Sequence, residues 1–397
     1  MTNCTPAFVM LIRHGEHGGP VMSKTTRFAG PGVLGALFLL ALSAAPLGAV
    51  DISGQPESAD IPFAQRYQTV QRGGVVRAAN SSITCVVPQS DNGPNCTAAK
   101  DGGPGVNGDF EMYYIDEDDD LNTYNSSRAQ LVLPKNSKVT YARLYWGGNL
   151  LVGEQKPAED NGRVLIAEEG GSYKQVLADT RIAHRTADGT DAFQASADIT
   201  PLVREAGAGL YTVAQINVAM GHSTAGAWGG WTLVVVYENN AEPLRQISVW
   251  DGYRTVDTEH PSHEITLSGL RVPERAGGRA GFVAYDGDRG RTGDTVTVRT
   301  SGTPGAPGAA EEPGREKAFG LGDAANPADD LMNSTISGPG GAFLRRPAYT
   351  NTLGYDSDVF DIGPALAPGG TGATFRFTAE SRSYSVGVLF VQADTRR

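Results

Sequence analysis

From Gly108 to Asp394 the chain repeats one pattern: short runs rich in β-branched and aromatic residues, each closed by Gly, Pro, Asn or Asp. GDFEMYYID (108–116), AQLVLP (129–134), KVTYARLYWGG (138–148), GLYTVAQINVA (209–219), GWTLVVVYE (230–238) and LRQISVWDGY (244–253) are the clearest early runs. HEITLSGL, AGFVAYDG, DTVTVRT, ATFRFTAES and YSVGVLFVQAD continue the pattern after Tyr253. Alternate side chains of a strand point to opposite faces, so runs of this length bounded by turn residues read as strands. Fifty-one glycines and 23 prolines supply the turns, and one helix signal stands out, DITPLVREAG (198–207). There Thr200 can cap, Pro201 suits the first helical position and Gly207 stops the helix. The predicted fold is therefore all-β, as two jelly-roll-like β-sandwich domains over 80–245 and 246–397, with very little helix. SGTPGAPGAAEEPGREKAFGLGDAANPADD (301–330) reads as a long loop.

The N-terminal region sets the compartment. Lys24 and Arg27 precede an uncharged apolar run from Phe28 to Val50 that ends in small residues. This is the order of a signal peptide over 22–49 with cleavage after Ala49; the alternative is an N-terminal membrane anchor over 28–49. Residues 1–21 read as an overextended start or a long leader, and 50–79 as a polar extension. LIRHGEHG (11–18) resembles the Arg-His-Gly signature of histidine phosphatases, but it lies ahead of the export signal and no α/β pattern follows. Export leaves Cys85 and Cys96 in an oxidising compartment, where a disulfide across CVVPQSDNGPNC is expected.

Several segments resemble a family in order along the chain. NGDFEMYYIDEDDDLNTYNSS, ARLYWGG, GGWTLVVVYENNAEPLRQISVWDGY, GDRGRTGDTVTV, NPADDLMNSTIS and NTLGYDSDVFDIGPALAPGGTGATFRFT are similar to a conserved head region of exported actinobacterial surface proteins. That resemblance runs from about Asn80 to Asp394. It implies a surface location and leaves the biochemistry undefined. Bacterial surface-repeat modules often follow such a head; no repeats or LPxTG-type sorting signal follow Asp394 here. Release, or retention by the N-terminal segment, is the expectation.

The net charge of −11 gives no electrostatic reason to bind nucleic acid. The densest charge lies between Asp101 and Ser127, with eight acidic residues and no basic one. Asp116, Asp118 and Asp120 would share one side of a strand, with Asn122 and Asn125 as further oxygen donors. Oxygen-rich carboxylate sets of this kind suit Ca²⁺. An EF-hand is excluded, because Leu121 and Ser127 occupy the positions that need Gly and Glu. The competing reading is an acidic edge that keeps strands from aggregating. YDGDRG (285–290) and YDSDVFD (355–361) repeat the acidic theme and read as turn chemistry.

GHSTAG (221–226) approaches a nucleophile elbow around Ser223, but Ala225 replaces the last Gly and no helix signal follows. Nothing in the spacing joins His184, His260 or His263 to it, and no catalytic residue is assigned. Trp146 and Trp250 fit strand cores, whereas Trp228 and Trp231, in a Gly-rich stretch, are candidates for ligand contact by stacking. The expected function is a non-enzymatic secreted or cell-surface protein with a structural or adhesive role, with Ca²⁺ as the one candidate cofactor. A carbohydrate-binding protein is the alternative and an extracellular hydrolase the third reading. Expected partners are cell-wall or extracellular glycans, or other surface proteins.

Overall fold

The structure, a computed structural model, describes residues 55–301, 318–340 and 343–396. The leader and export segments fall outside these residues. Strand dominates what is described, and α-helix is confined to Cys96–Lys100 and Thr200–Ala206. The all-β expectation holds. The second helix ends at Gly207, with φ +73°, as its sequence signals; Thr200 lies inside it, and its Oγ1 accepts from Ala142 N at 2.9 Å.

The organising element is the long strand Ile61–Ser81. It is the sixth of ten strands running Glu57–Ser58, Ile182–Ala187, Thr190–Asp198, Lys138–Asn149, Gly229–Glu238, Ile61–Ser81, Leu244–Val256, Tyr384–Asp394, Gly278–Tyr285 and Tyr355–Asp361. Residues 73–81 pair with Gly229–Glu238, and residues 61–72 pair mainly with Leu244–Val256. In a flat sheet the third and eighth strands would stand about 24 Å apart, at about 4.8 Å per strand. Yet Gln194 Nε2, on the third, donates to Gly387 O on the eighth at 3.3 Å and to Gly252 O at 3.0 Å. The sheet must therefore fold over on itself, and its two leaves face each other.

Gly73 sits at the change of partner with φ +145°, where a Cβ would lie 1.9 Å from Tyr237 O. Only glycine permits that approach. Tyr145, Val234 and Val236 of the first leaf meet Val249, Tyr285, Val388 and Phe390 of the second in one core. The outer face of the first leaf packs on a five-stranded sheet, with Leu144, Trp146, Leu233 and Val235 against Leu131, Ile166 and Val213. The outer face of the second packs on a four-stranded sheet, with Phe282, Phe360 and Leu389 against Val298, Phe375 and Phe377. Four layers result. Each buried Val, Leu or Phe contributes about 1.5–3 kcal/mol from area removed from water. This layering explains GWTLVVVYE: a strand in an inner layer is apolar on both faces.

The expected extension 50–79 is corrected here. Its greater part, from Ile61, belongs to the central strand. Its first half alternates half-buried and exposed residues, and Gln65, Arg66, Gln68 and Arg72 gave it a polar look that masked the period. The expected division at 245/246 falls at the start of Leu244–Val256, whose two neighbours are Ile61–Ser81 and Tyr384–Asp394.

Candidate functional site

Three aspartates of the acidic run accept from neighbouring donors. Asp116 Oδ1 accepts from Ser126 Oγ at 3.0 Å. Asp118 Oδ1 accepts from Asp120 N at 2.8 Å and Thr123 Oγ1 at 3.0 Å, and its Oδ2 from the Tyr173 hydroxyl. Asp120 Oδ1 accepts from Asn122 N at 3.0 Å and Nδ2 at 2.7 Å. Asn122 thus acts as a donor, and Asn125 is tied to the Ile216 backbone through both ends of its amide. Partial burial pushes the Asp118 carboxyl up, but the Tyr173 hydroxyl and the other donors outweigh it and hold the group below its ordinary value. Among the described residues no three Asp, Glu, His or Cys side chains gather as a metal-holding group.

Cys85 and Cys96 are joined as a disulfide. It ties the strand Ile83–Pro88 to the short helix Cys96–Lys100 over a small core of Ile83, Phe110 and Met112.

Burial of Trp228 and Trp231 removes the stacking face that the expected ligand contact needs. They are 1% and 0% exposed. Trp231 Nε1 donates to Ser127 Oγ at 2.9 Å, and Trp228 packs 5.4 Å from the Tyr285 ring. Their glycine neighbours let layers close in rather than open a platform: a Cβ on Gly230 would stand 2.8 Å from the Tyr355 ring. Ser223 Oγ is buried without a partner among the described residues. His184 is held elsewhere, between Glu57 at 2.6 Å and Asp191 at 2.7 Å, and His263 lies beside Phe63.

The turn chemistry expected of YDSDVFD (355–361) is corrected: Asp356 and Asp358 lie in the strand Tyr355–Asp361, in a buried acidic cluster with Asp294. Asp294, Asp356 and Asp358 are 8%, 0% and 0% exposed. Asp358 Oδ1 accepts from Ser337 N (2.8 Å), Ser337 Oγ (2.7 Å) and Thr335 Oγ1 (3.1 Å). Asp356 Oδ1 accepts from Thr335 N at 3.0 Å, and Asp294 Oδ1 from the Leu331 and Met332 amides. The Oδ2 atoms of Asp356 and Asp358 have no donor among the described residues. Burial pushes Asp294 up to about 7 and raises both Asp356 and Asp358, each made worse for charge by other nearby aspartates or eased by its donors. The available signal was Asp-x-Asp ahead of Phe360, acids at alternate positions of a strand whose next inward residue is aromatic.

A second feature was also illegible in sequence. Between the leaves, near Gly73, lies a slot of about 560 Å³, within the range of small-molecule sites. Its walls mix Val75 and Tyr237 from the first leaf, Val359 from the second and Val132 and Phe343 from flanking segments with the polar Arg279, Asp361 and Gln392. Arg77 also lines it, 4% exposed, with its Cζ 5.2 Å from the centre of the Phe343 ring. Arg77 Nη2 donates to Ser337 O at 2.5 Å, whereas Nε and Nη1, both buried, have no acceptor among the described residues. Burial lowers its pKa to about 10. Arg245, by contrast, donates from Nε to Asp394 and from Nη1 to Glu242 and Gly73 O.

The fold and these features define a protein of stacked, mainly antiparallel β-sheets stapled by one disulfide. Residues 106–389 match the family described as a protein of unknown function, DUF3344, and the chain belongs to that family. No curated protein matches it. Among solved structures, a peptide-N(4)-(N-acetyl-β-D-glucosaminyl) asparagine amidase is similar at 8% identity and TM-score 0.22, covering 80% of this chain and 97% of its own. The N-terminal CBM22-1–CBM22-2 tandem of Paenibacillus barcinonensis Xyn10C is similar at 9% identity and TM-score 0.19, covering 86% and 100%. Scores this low carry no argument about fold or ligand.

Proposed function

We propose that this chain is an exported, non-enzymatic protein of the cell surface or extracellular medium, with a structural or adhesive role toward surface glycans or other surface proteins. The observation that supports this reading is the Cys85–Cys96 disulfide. Such a bond persists in oxidising compartments and is rare in the cytosol, and the order of basic residues, apolar run and small residues over 22–49 provides a route there. The small core the disulfide closes contains few large side chains, so this corner depends on the covalent tie. The test is expression with the native leader, followed by fractionation and thiol titration. The reading expects chain outside the cytoplasm with no free thiol in the mature protein. Recovery only in the cytoplasm with both thiols free would overturn it. Cys85→Ser with Cys96→Ser is expected to cost about 2–4 kcal/mol in chemical denaturation.

A further inference from the structure

We infer that the slot beside Gly73 is a binding site for a neutral, hydroxyl-rich sugar unit, which meets a row of three polar side chains, Gln392, Arg279 and Asp361. The inference rests on the adhesive reading above and gives its glycan contact a place in the fold.

The row comes from strand register. Arg279 stands opposite Gln392 in one neighbouring strand and opposite Asp361 in the other. Residues directly opposite in an antiparallel sheet share a face, and all three line the slot. Amide, guanidinium and carboxylate thus lie side by side on strands about 4.8 Å apart. Arg279 and Asp361 are exposed. Arg279 makes no hydrogen bond or ion pair with a described residue. Asp361 Oδ1 accepts from Gly363 N at 2.8 Å, and its Oδ2 has no donor among the described residues. Gln392 Oε1 accepts from Val75 N at 2.8 Å, which leaves Nε2 as a donor that is neither paired nor sealed off.

Charge and polarity set the ligand class. The charges within reach match two against two: Arg279 stands opposite Asp361, and Arg245 pairs with Glu242. Asp394, the second partner of Arg245, is outside the lining. Arg77 lines the slot too, but its unpaired nitrogens are buried beyond a ligand's reach. An ion would therefore enter with no countercharge left for it. A hydroxyl both donates and accepts, so it can take a hydrogen from Arg279 or Gln392 and give one to Asp361 or Glu242. The Tyr237 hydroxyl, beside Arg245, adds one more polar point. Val75, Val132 and Val359 leave apolar wall for the C–H face of a sugar ring. A plain hydrocarbon would leave the row unpaired.

The experiment is a saturation-transfer NMR titration of the full chain with the methyl glycosides of glucose, galactose, mannose and N-acetylglucosamine. Glucuronic acid and glucosamine serve as charged counterparts. At least one neutral glycoside is expected to bind saturably, about tenfold or more tighter than either charged sugar. Arg279→Met removes the centre of the row from an exposed position and should weaken that glycoside about tenfold. Val132→Trp fills the slot from a residue that is 52% exposed, and should weaken it by a similar factor. Circular dichroism is expected to show the fold retained in both variants. No saturable binding of any of the four glycosides, tighter binding of a charged sugar, or an affinity that either variant leaves untouched would each overturn the inference. Glycoside binding that neither variant weakens would remove the slot and keep the adhesive reading. Export and thiol state are read by fractionation and thiol titration, so that reading can fail or stand on its own.

Discussion

The run Asp116–Asp120 and the cluster Asp294, Asp356 and Asp358 are both acidic, yet the fold treats their charge in opposite ways. In the run, Asp118 gathers donors from its own loop and from Tyr173, and its charged form is favoured. In the cluster, the carboxyls lie under strands and loops with one oxygen each on Asp356 and Asp358 left without a donor, and burial favours the neutral form. Solvent access decides the difference more than the number of donors. Asp358 collects three hydrogen bonds on one oxygen and its pKa is still raised.

The largest effect should come from the cluster. Asp358→Ala strands the Ser337 and Thr335 donors and removes the acid whose attraction favours the Arg77 charge. The expected loss is on the order of 3 kcal/mol in urea denaturation. A loss of only a few tenths would mean that the cluster is no more constrained than the surface run. Next comes His184, which links Glu57 to Asp191 and so helps fasten Glu57–Ser58 to Ile182–Ala187. Burial pushes its pKa down, but the two carboxylates outweigh this and raise it. Its stabilisation is therefore full below the unfolded value near 6.5 and fades as pH rises through the folded one. His184→Gln should cost about 1 kcal/mol at pH 5.5 and less at pH 8; an equal cost at both would remove the charged clasp.

The smallest effect belongs to the run. Asp118→Asn with Asp120→Asn keeps an acceptor oxygen at each position and should change stability by less than about 1 kcal/mol. Thermal midpoints in EDTA and in Ca²⁺ should coincide, since Asp116, Asp118 and Asp120 each already give at least one oxygen to an internal donor. A rise with Ca²⁺ that the double variant abolishes would restore the metal reading of 116–122 and erase the contrast with the cluster.

Legibility in the sequence followed how local each feature is. Strand runs, the helix stop at Gly207 and the Cys85–Cys96 pairing depend on neighbours within a few residues or one short loop, and all three could be read. Trp228 and Trp231 could not, because a Gly-rich flank can mean an open loop or a tight layer contact, and only the opposing Tyr285 and Tyr355 decide. Asp356 and Asp358 look like turn residues until the layer above them is known. The slot is least legible of all: Arg77 and Phe343 stand 266 positions apart in sequence, and Val132 and Val359 belong to other segments again.

The contrast between the two acidic regions rests on protonation, and a stability curve against pH reads it directly. Raised carboxyls bind protons in the folded state that the unfolded chain releases above about pH 4. Their contribution is complete below that value and is lost as pH rises toward about 7, where Asp294 ionises. The lowered Asp118 acts only in more acidic solution, and His263, whose pKa burial lowers, works against the trend. Urea denaturation of the His184→Gln variant at pH 7.5, 6.5 and 5.5 removes the raised histidine and leaves the raised carboxyls, Asp286 and Asp288 among them, set against His263. The account expects stability to rise on acidification, by up to about 1.4 kcal/mol per pH unit for each proton taken up. A flat or falling curve over that range would contradict it.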